Sequence, residues 1–161
     1  MTVYMRSLRT FDYRGLYRYF LTFCTFERNA YFTDAGNVDL VRRQILRAAD
    51  EQQFAITAYC FMPDHLHLLV EGLREDASLK DFVARAKQYS GYYFRQQTKQ
   101  TLWQRYGFER VLRENDDTKQ VATYVIGNPL RAGLVKDLAD YPFWGSGSYS
   151  REALIEHIRA G

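Results

Sequence analysis

The stretch Tyr59-Cys60-Phe61-Met62-Pro63-Asp64-His65-Leu66-His67-Leu68-Leu69-Val70-Glu71 reads as a hairpin. An apolar run over 54–61 (FAITAYCF) ends in it, Met62-Pro63-Asp64 makes a tight connection, and a second apolar run follows over 65–71. Successive side chains on a strand point to opposite faces, so His65 and His67 share one face and Leu66, Leu68 and Val70 the other. Two imidazoles side by side on a sheet are what a metal site requires. Two unrelated polar residues on a solvated face would leave the same trace, and the rest of the chain has to discriminate.

Upstream, residues 17–26 (YRYFLTFCTF) are dense in β-preferring residues on both faces, which predicts a central strand. After the turn signals Asp34-Ala35-Gly36-Asn37, the spacing of Leu40, Val41, Gln44, Ile45, Ala48 and Ala49 predicts a helix from Val38 to about Gln52. Downstream, Ser78 is placed to cap a helix reaching about Gln97, with Leu79, Phe82, Val83, Ala86, Tyr89 and Tyr93 on its apolar stripe. Residues 108–113 (FERVLR) read as a fourth strand. Asn115, Asp116 and Asp117 supply a cap and first-turn charge for a helix through about Gly127, stopped near Asn128 by Pro129. The order is β-α-β-β-α-β followed by a helix. It predicts an α+β, ferredoxin-like antiparallel sheet with two crossover helices on one face and the other face left for an additional C-terminal, catalytic helix. Residues 1–161 are expected to form one domain, with a basic N-terminal arm over 1–16 and a C-terminal tail over 136–161 whose Leu154, Ile155 and Ile158 mark a short helix.

Composition narrows the class. Apolar residues at 47% and charged residues at 25% are ordinary for a soluble globular chain. A net charge of 22 − 19 = +3 permits a nucleic-acid partner without demanding one. Cys24 and Cys60 stand apart inside apolar runs, which argues against a disulfide framework or zinc knuckle and for buried thiols in a reducing compartment. No stretch approaches a membrane span and residues 1–10 carry no apolar signal core, so no membrane partner is expected and the protein is placed in the cytoplasm.

If the last helix packs on the face that bears the histidines, it brings Tyr124 with it. Asn128 lies four residues on, on the same helical side. A divalent cation (Mg²⁺ or Mn²⁺) on two histidines and one oxygen would retain open positions for phosphate oxygens. A tyrosine oxygen could then attack phosphorus and leave a covalent phosphotyrosine. Taken singly, Tyr124 could equally be a core aromatic among 13 tyrosines, and Asn128 a helix-terminal residue before proline.

Four segments carry a resemblance. Met62-Pro63-Asp64-His65-Leu66-His67, Leu102-Trp103-Gln104-Arg105-Tyr106, Asn128-Pro129-Leu130-Arg131-Ala132-Gly133-Leu134-Val135 and Tyr141-Pro142-Phe143-Trp144 resemble, in order and spacing, the boxes of the REP-associated tyrosine transposases. These belong to the HUH class of single-strand DNA endonucleases, named for two histidines flanking a hydrophobic residue. The second segment is one residue shorter than its counterpart, and Gly145-Ser146-Gly147 interrupts the fourth. The resemblance implies sequence-specific cleavage and strand transfer of single-stranded, hairpin-forming REP-type palindromes through a 5′-phosphotyrosine. It implies His65 and His67 as metal ligands, Asn128 as the third, Tyr124 as nucleophile, and a bacterial, nucleoid-associated enzyme acting as a monomer or as a helix-exchanged homodimer.

Binding such DNA needs basic side chains for the backbone and flat ones for unpaired bases. Arg6, Arg9, Arg85, Lys87, Arg105, Arg110 and Arg113 are the basic candidates, and Trp103 is the stacking candidate, although a tryptophan after a long helix is at least as often a core plug. Two other readings compete. One is a non-catalytic single-stranded nucleic-acid binding module descended from such a transposase. The other is a metal-dependent hydrolase using activated water, which leaves Tyr124 without a role.

Overall fold

The computed structural model describes residues 13–112 and 116–161 and the backbone of residues 3–4, with residues 108–110 described by backbone alone. The strands are β1 (Val3–Tyr4), β2 (Arg18–Cys24), β3 (Phe54–Met62), β4 (His65–Gly72), β5 (Phe108–Val111) and β6 (Trp144–Gly145). The α-helices are α1 (Ala35–Gln52), α2 (Leu79–Thr98), α3 (Thr118–Ile126), α4 (Asn128–Arg131) and α5 (Arg151–Ala160). Among the described residues the strands form one sheet in the order β1-β5-β2-β4-β3-β6, antiparallel at every pairing. The inner four, β5-β2-β4-β3, with α1 and α2 as crossovers, are the expected ferredoxin-like unit. β1 and β6 extend its two edges.

Local chemistry sets the helix ends. α1 begins three residues earlier than its apolar spacing predicts, because the Asp34 side chain accepts the Asn37 N–H and caps it there. Ser78 caps α2 through the Asp81 N–H, as expected. Pro129 does not merely stop a helix. α3 ends at Ile126, and Pro129 sits in the first turn of α4, where a missing N–H costs nothing.

Each face of the sheet has its own core. Tyr19, Leu21, Phe23, Leu66, Leu68 and Val70 pack under α1 and α2. On the other face Ala58, Cys60, Met62 and Leu69 meet Ala122, Val125 and Ile126 of α3, Leu154 of α5, and Tyr141 and Trp144. A register shift between Ile56 and Ala58 in β3 decides which residues go where. Phe54 and Ile56 face α1 and α2, and after the shift Ala58, Cys60 and Met62 face α3. Cys24 and Cys60 are both free and buried, as read from the sequence. No helix among the described residues is long and apolar enough to cross a membrane.

Candidate active site

His65 and His67 stand side by side on β4, on the face that also carries Leu69 and α3. Their ring centroids are 4.7 Å apart and the planes nearly perpendicular, at 80°. Antiparallel pairing sets Cys24 opposite His65 and Thr22 opposite His67. Thr22 Oγ1 lies 2.9 Å from His67 Nδ1. Asp64 Oδ1 lies 2.7 Å from His65 Nδ1, and Arg28 Nε donates to the other carboxylate oxygen of Asp64 at 3.0 Å. A carboxylate only accepts, so the His65 proton resides on Nδ1 and leaves the Nε2 lone pair exposed. With both Nδ1 atoms engaged, the two Nε2 atoms remain for a ligand. Metal-binding imidazoles are oriented by second partners of this kind.

The supports are themselves anchored. Thr25 donates from its backbone N–H and its hydroxyl to the Asp64 carbonyl, both at 3.0 Å, and Phe32 N–H donates to the Pro63 carbonyl at 3.0 Å. Arg28 reaches Asp64 from a 3₁₀ turn in which Glu27 and Arg28 both take the left-handed conformation, with φ of 53° and 55°. Neither residue is glycine, so this backbone is strained and is held by its surroundings. Asn29 Nδ2 donates to the Phe26 carbonyl at 2.8 Å and helps to hold it.

The charges follow from burial and partners. Burial, and then the electrostatic effect of His65 and Arg131, push His67 down to about 3, so at neutral pH its imidazole is uncharged. Burial works against the Asp64 charge, but the hydrogen bonds from Arg28 and His65 outweigh it and hold the carboxyl below its ordinary range.

The donor set fits a divalent cation in part. Two imidazoles with oriented Nε2 atoms are in place, and among the described residues no cluster of three His, Cys, Asp or Glu side chains accompanies them. A third protein ligand must come from another residue type. Asn128 has one atom to offer. Pro129 has no N–H for the Val125 carbonyl, and Asn128 Nδ2 donates to that carbonyl instead, at 2.6 Å. Its Oδ1 is the oxygen that remains.

Tyr124 stands on the solvent side of its helix. α3 turns Ala122, Val125 and Ile126 to the sheet, and at about 100° per residue Tyr124 lies about 200° round from Ala122. The ring is 61% exposed. It lines a cleft of about 380 Å³ with Thr123, Leu130, Arg131, His157 and Ile158. The helix docks on the histidine face of the chain's own sheet through its apolar stripe, as expected, and Tyr124 projects from the side of the helix turned away from that stripe.

Several DNA-binding expectations change. Trp103 is a core residue, 9% exposed, packed on Phe23 and Phe32 with Nε1 donating to buried Ser90 at 2.9 Å. Its large apolar surface and single donor are both satisfied there, so it is not a stacking platform. Lys87 is half-buried with Nζ over the Phe23 ring, and Arg85 is exposed and bonded to Gln88, both on α2 and hence across the sheet from the histidines. Arg105 is exposed beside Tyr106. It lies in the segment that follows the Gln104 N–H bond to the Cys24 carbonyl, at the histidine end of β2. Arg6, Arg9 and Arg113 lie outside the described residues, as does the side chain of Arg110.

Reading the sequence missed Thr22, Arg28, Asp64 and Arg131. Asp64 and Arg131 stood inside quoted boxes without a role, and strand parity could have found Thr22. Arg28 carries no signal, because only the left-handed turn brings it to Asp64.

Comparison with known proteins places this geometry. Residues 14–127 match the family described as "Transposase IS200 like". A Haemophilus influenzae protein assigned to the REP-associated tyrosine transposases is 29% identical over 160 residues, covering 92% of this chain and 87% of that protein. The REP-associated tyrosine transposase of Escherichia coli is 25% identical over 104 residues, 65% of this chain and 61% of that one. Among solved structures, a REP-associated tyrosine transposase bound to a REP hairpin shares the fold, with a TM-score of 0.72 at 22% identity over 87% of this chain and 82% of that one.

Proposed function

This chain belongs to the IS200-like transposase family, and from that premise we propose that it cuts and rejoins single-stranded DNA at hairpin-forming REP-type palindromes through Tyr124. The observation that carries this reading is the imidazole pair, with both Nδ1 atoms tied and both Nε2 atoms presented on the sheet face where the Tyr124 helix docks. Pure nucleic-acid binding needs no such arrangement. The relatives' names and the hairpin in the related structure support the substrate class.

A divalent cation (Mg²⁺ or Mn²⁺), when held, supplies charge neutralisation at the non-bridging oxygens of the scissile phosphate. His65 and His67 hold it through Nε2, and Asn128 Oδ1 is the proposed third protein donor. Asp64 and Thr22 keep the two rings in position. The Tyr124 oxygen attacks phosphorus and its proton passes to solvent. The new O–P bond replaces the P–O3′ bond, whose electron pair leaves with the 3′ oxygen and takes up a proton. The exchange of one phosphate ester for another is near balance, so the reverse attack by a different 3′-OH transfers the strand.

The test is a covalent species. The protein is incubated with single-stranded REP-type hairpin oligonucleotides and Mg²⁺ or Mn²⁺, and the mixture is run on a denaturing gel. A protein–DNA adduct is expected, absent in Tyr124→Phe and in His65→Ala. An adduct that survives Tyr124→Phe moves the nucleophile to Tyr89, Tyr92, Tyr93 or Tyr106. Cleavage without an adduct favours activated water, and binding without cleavage favours the module.

A further inference from the structure

Arg131 is exposed, yet it is held at three points by the two residues before α4 that matter most to its surroundings. Its guanidinium carbon lies 4.1 Å from the centroid of the Tyr124 ring. Its Nη2 donates to the Tyr124 carbonyl at 2.6 Å. It closes over Gly127, where an added Cβ would stand 2.8 Å from Nη1. Fixing an arginine side chain on a surface costs rotamer entropy, so contacts this specific set it apart from a freely solvated cation. It also stands in the cleft that the phenol lines. Its charge is felt at His67 and at Cys60, which face each other across β3 and β4. Arg131 thus lies directly on Tyr124 and within electrostatic reach of His67.

A guanidinium has five N–H donors in a planar fork, and the Tyr124 carbonyl takes one of them. A planar fork matches phosphate oxygens, and its flat face can stack on an aromatic ring at the same time. A lysine could do only one of these. We propose that Arg131 is the phosphate clamp of the tyrosine site: it holds the Tyr124 ring by one face and offers its outer N–H donors to the non-bridging oxygens of the phosphate that Tyr124 attacks. Arg131 stays protonated throughout. The phenol oxygen forms the bond to phosphorus, the 3′ oxygen leaves with the electron pair of the broken bond, and the guanidinium meets the negative charge that gathers between them. This proposal rests on the tyrosine reading above.

The experiment measures single-turnover adduct formation on a REP-type hairpin oligonucleotide with Mn²⁺ for the unaltered chain, Arg131→Ala and Arg131→Lys. Hairpin affinity is measured separately in a Tyr124→Phe background, and folding is checked by thermal melting. Arg131→Ala is expected to slow adduct formation by about 100-fold, in the range seen when one transition-state donor is removed, while hairpin affinity stays within about threefold. Added ethylguanidinium is expected to restore the Ala variant by about tenfold and to leave the unaltered chain unchanged. Arg131→Lys, which keeps the charge and the fold but cannot fork and stack together, is expected to remain at least about tenfold slow. Three results overturn the clamp: unchanged rates in both variants, a rate loss matched by an equal loss of hairpin affinity, or a Lys variant as fast as the unaltered chain. No adduct from the unaltered chain removes the tyrosine reading and the clamp together, so the two failures are told apart.

Discussion

Asp64 carries no metal-binding role of its own, yet the His65 ring depends on it. Its carboxylate accepts the hydrogen bond of the His65 Nδ1–H and is itself held by Arg28, while the Thr22 hydroxyl engages Nδ1 of His67. Removing either partner frees a ring to rotate or to present the wrong tautomer. Asp64→Asn and Thr22→Val are each expected to weaken Mn²⁺ binding by about 10- to 100-fold, the usual consequence of losing an outer-shell partner, with little change in melting temperature. Calorimetric titration of Mn²⁺ into the DNA-free protein reads this directly, and unchanged affinity in both variants would contradict it. At this scale the sequence was uneven. His65 and His67 were legible from a two-residue spacing, while Trp103 stood open between core plug and stacking platform, because an indole in a polar segment looks the same whether Ser90 or a nucleobase receives it.

Among the elements, α3 sets the reach of the chemistry. It has nine residues, too few to be stable by itself. Its start is fixed by Asp117, whose Oδ1 accepts the N–H groups of Lys119 and Gln120 at 2.9 and 3.3 Å, and its apolar stripe holds it to β3 and β4. Asp117→Ala is expected to lower stability by about 1 kcal/mol, seen as a shifted urea midpoint. Because the stripe still docks the helix, adduct formation should fall by less than about threefold; a loss of activity as deep as that of Tyr124→Phe would show that the cap does more than start a helix. The run Asn115-Asp116-Asp117 made this cap readable in advance. The exit was less so. Pro129 signalled a stop, but that Asn128 supplies the hydrogen bond Pro129 cannot make, and that Gly127 leaves room for Arg131, depends on how the chain continues into α4.

For the molecule as a whole, the second core has a consequence at high pH. Burial pushes the Cys60 thiol up to about 12, and burial together with the nearby thiol pushes Tyr141 up to about 12. The Tyr141 hydroxyl donates to the Phe61 carbonyl at 2.5 Å. In the unfolded chain these groups ionise near their ordinary values of 9.0 and 10.0. Both folded values are raised, so the stability these neutral groups contribute is complete below about pH 9 and is lost as pH climbs toward 12. Urea midpoints are expected to hold from pH 7 to 9 and to fall by pH 11, with a shallower fall in Cys60→Ala and Tyr141→Phe. A midpoint that does not move by pH 11 would contradict this.

The sequence by itself determined the order of strands and helices, the hairpin and the shared face of its two histidines. Each of these rests on local periodicity and on caps within a few residues of one another. The tertiary structure decided what periodicity cannot encode. A one-residue shift in β3 chose which side chains meet α3. A left-handed turn brought Arg28 to Asp64, 36 residues away in the chain. The docking of α3 by its apolar stripe left the Tyr124 ring exposed to solvent with Arg131 over its face. A helix is oriented by the face it buries, and which face that is depends on the sheet it meets, so the relation between Tyr124 and the histidine pair is a property of packing.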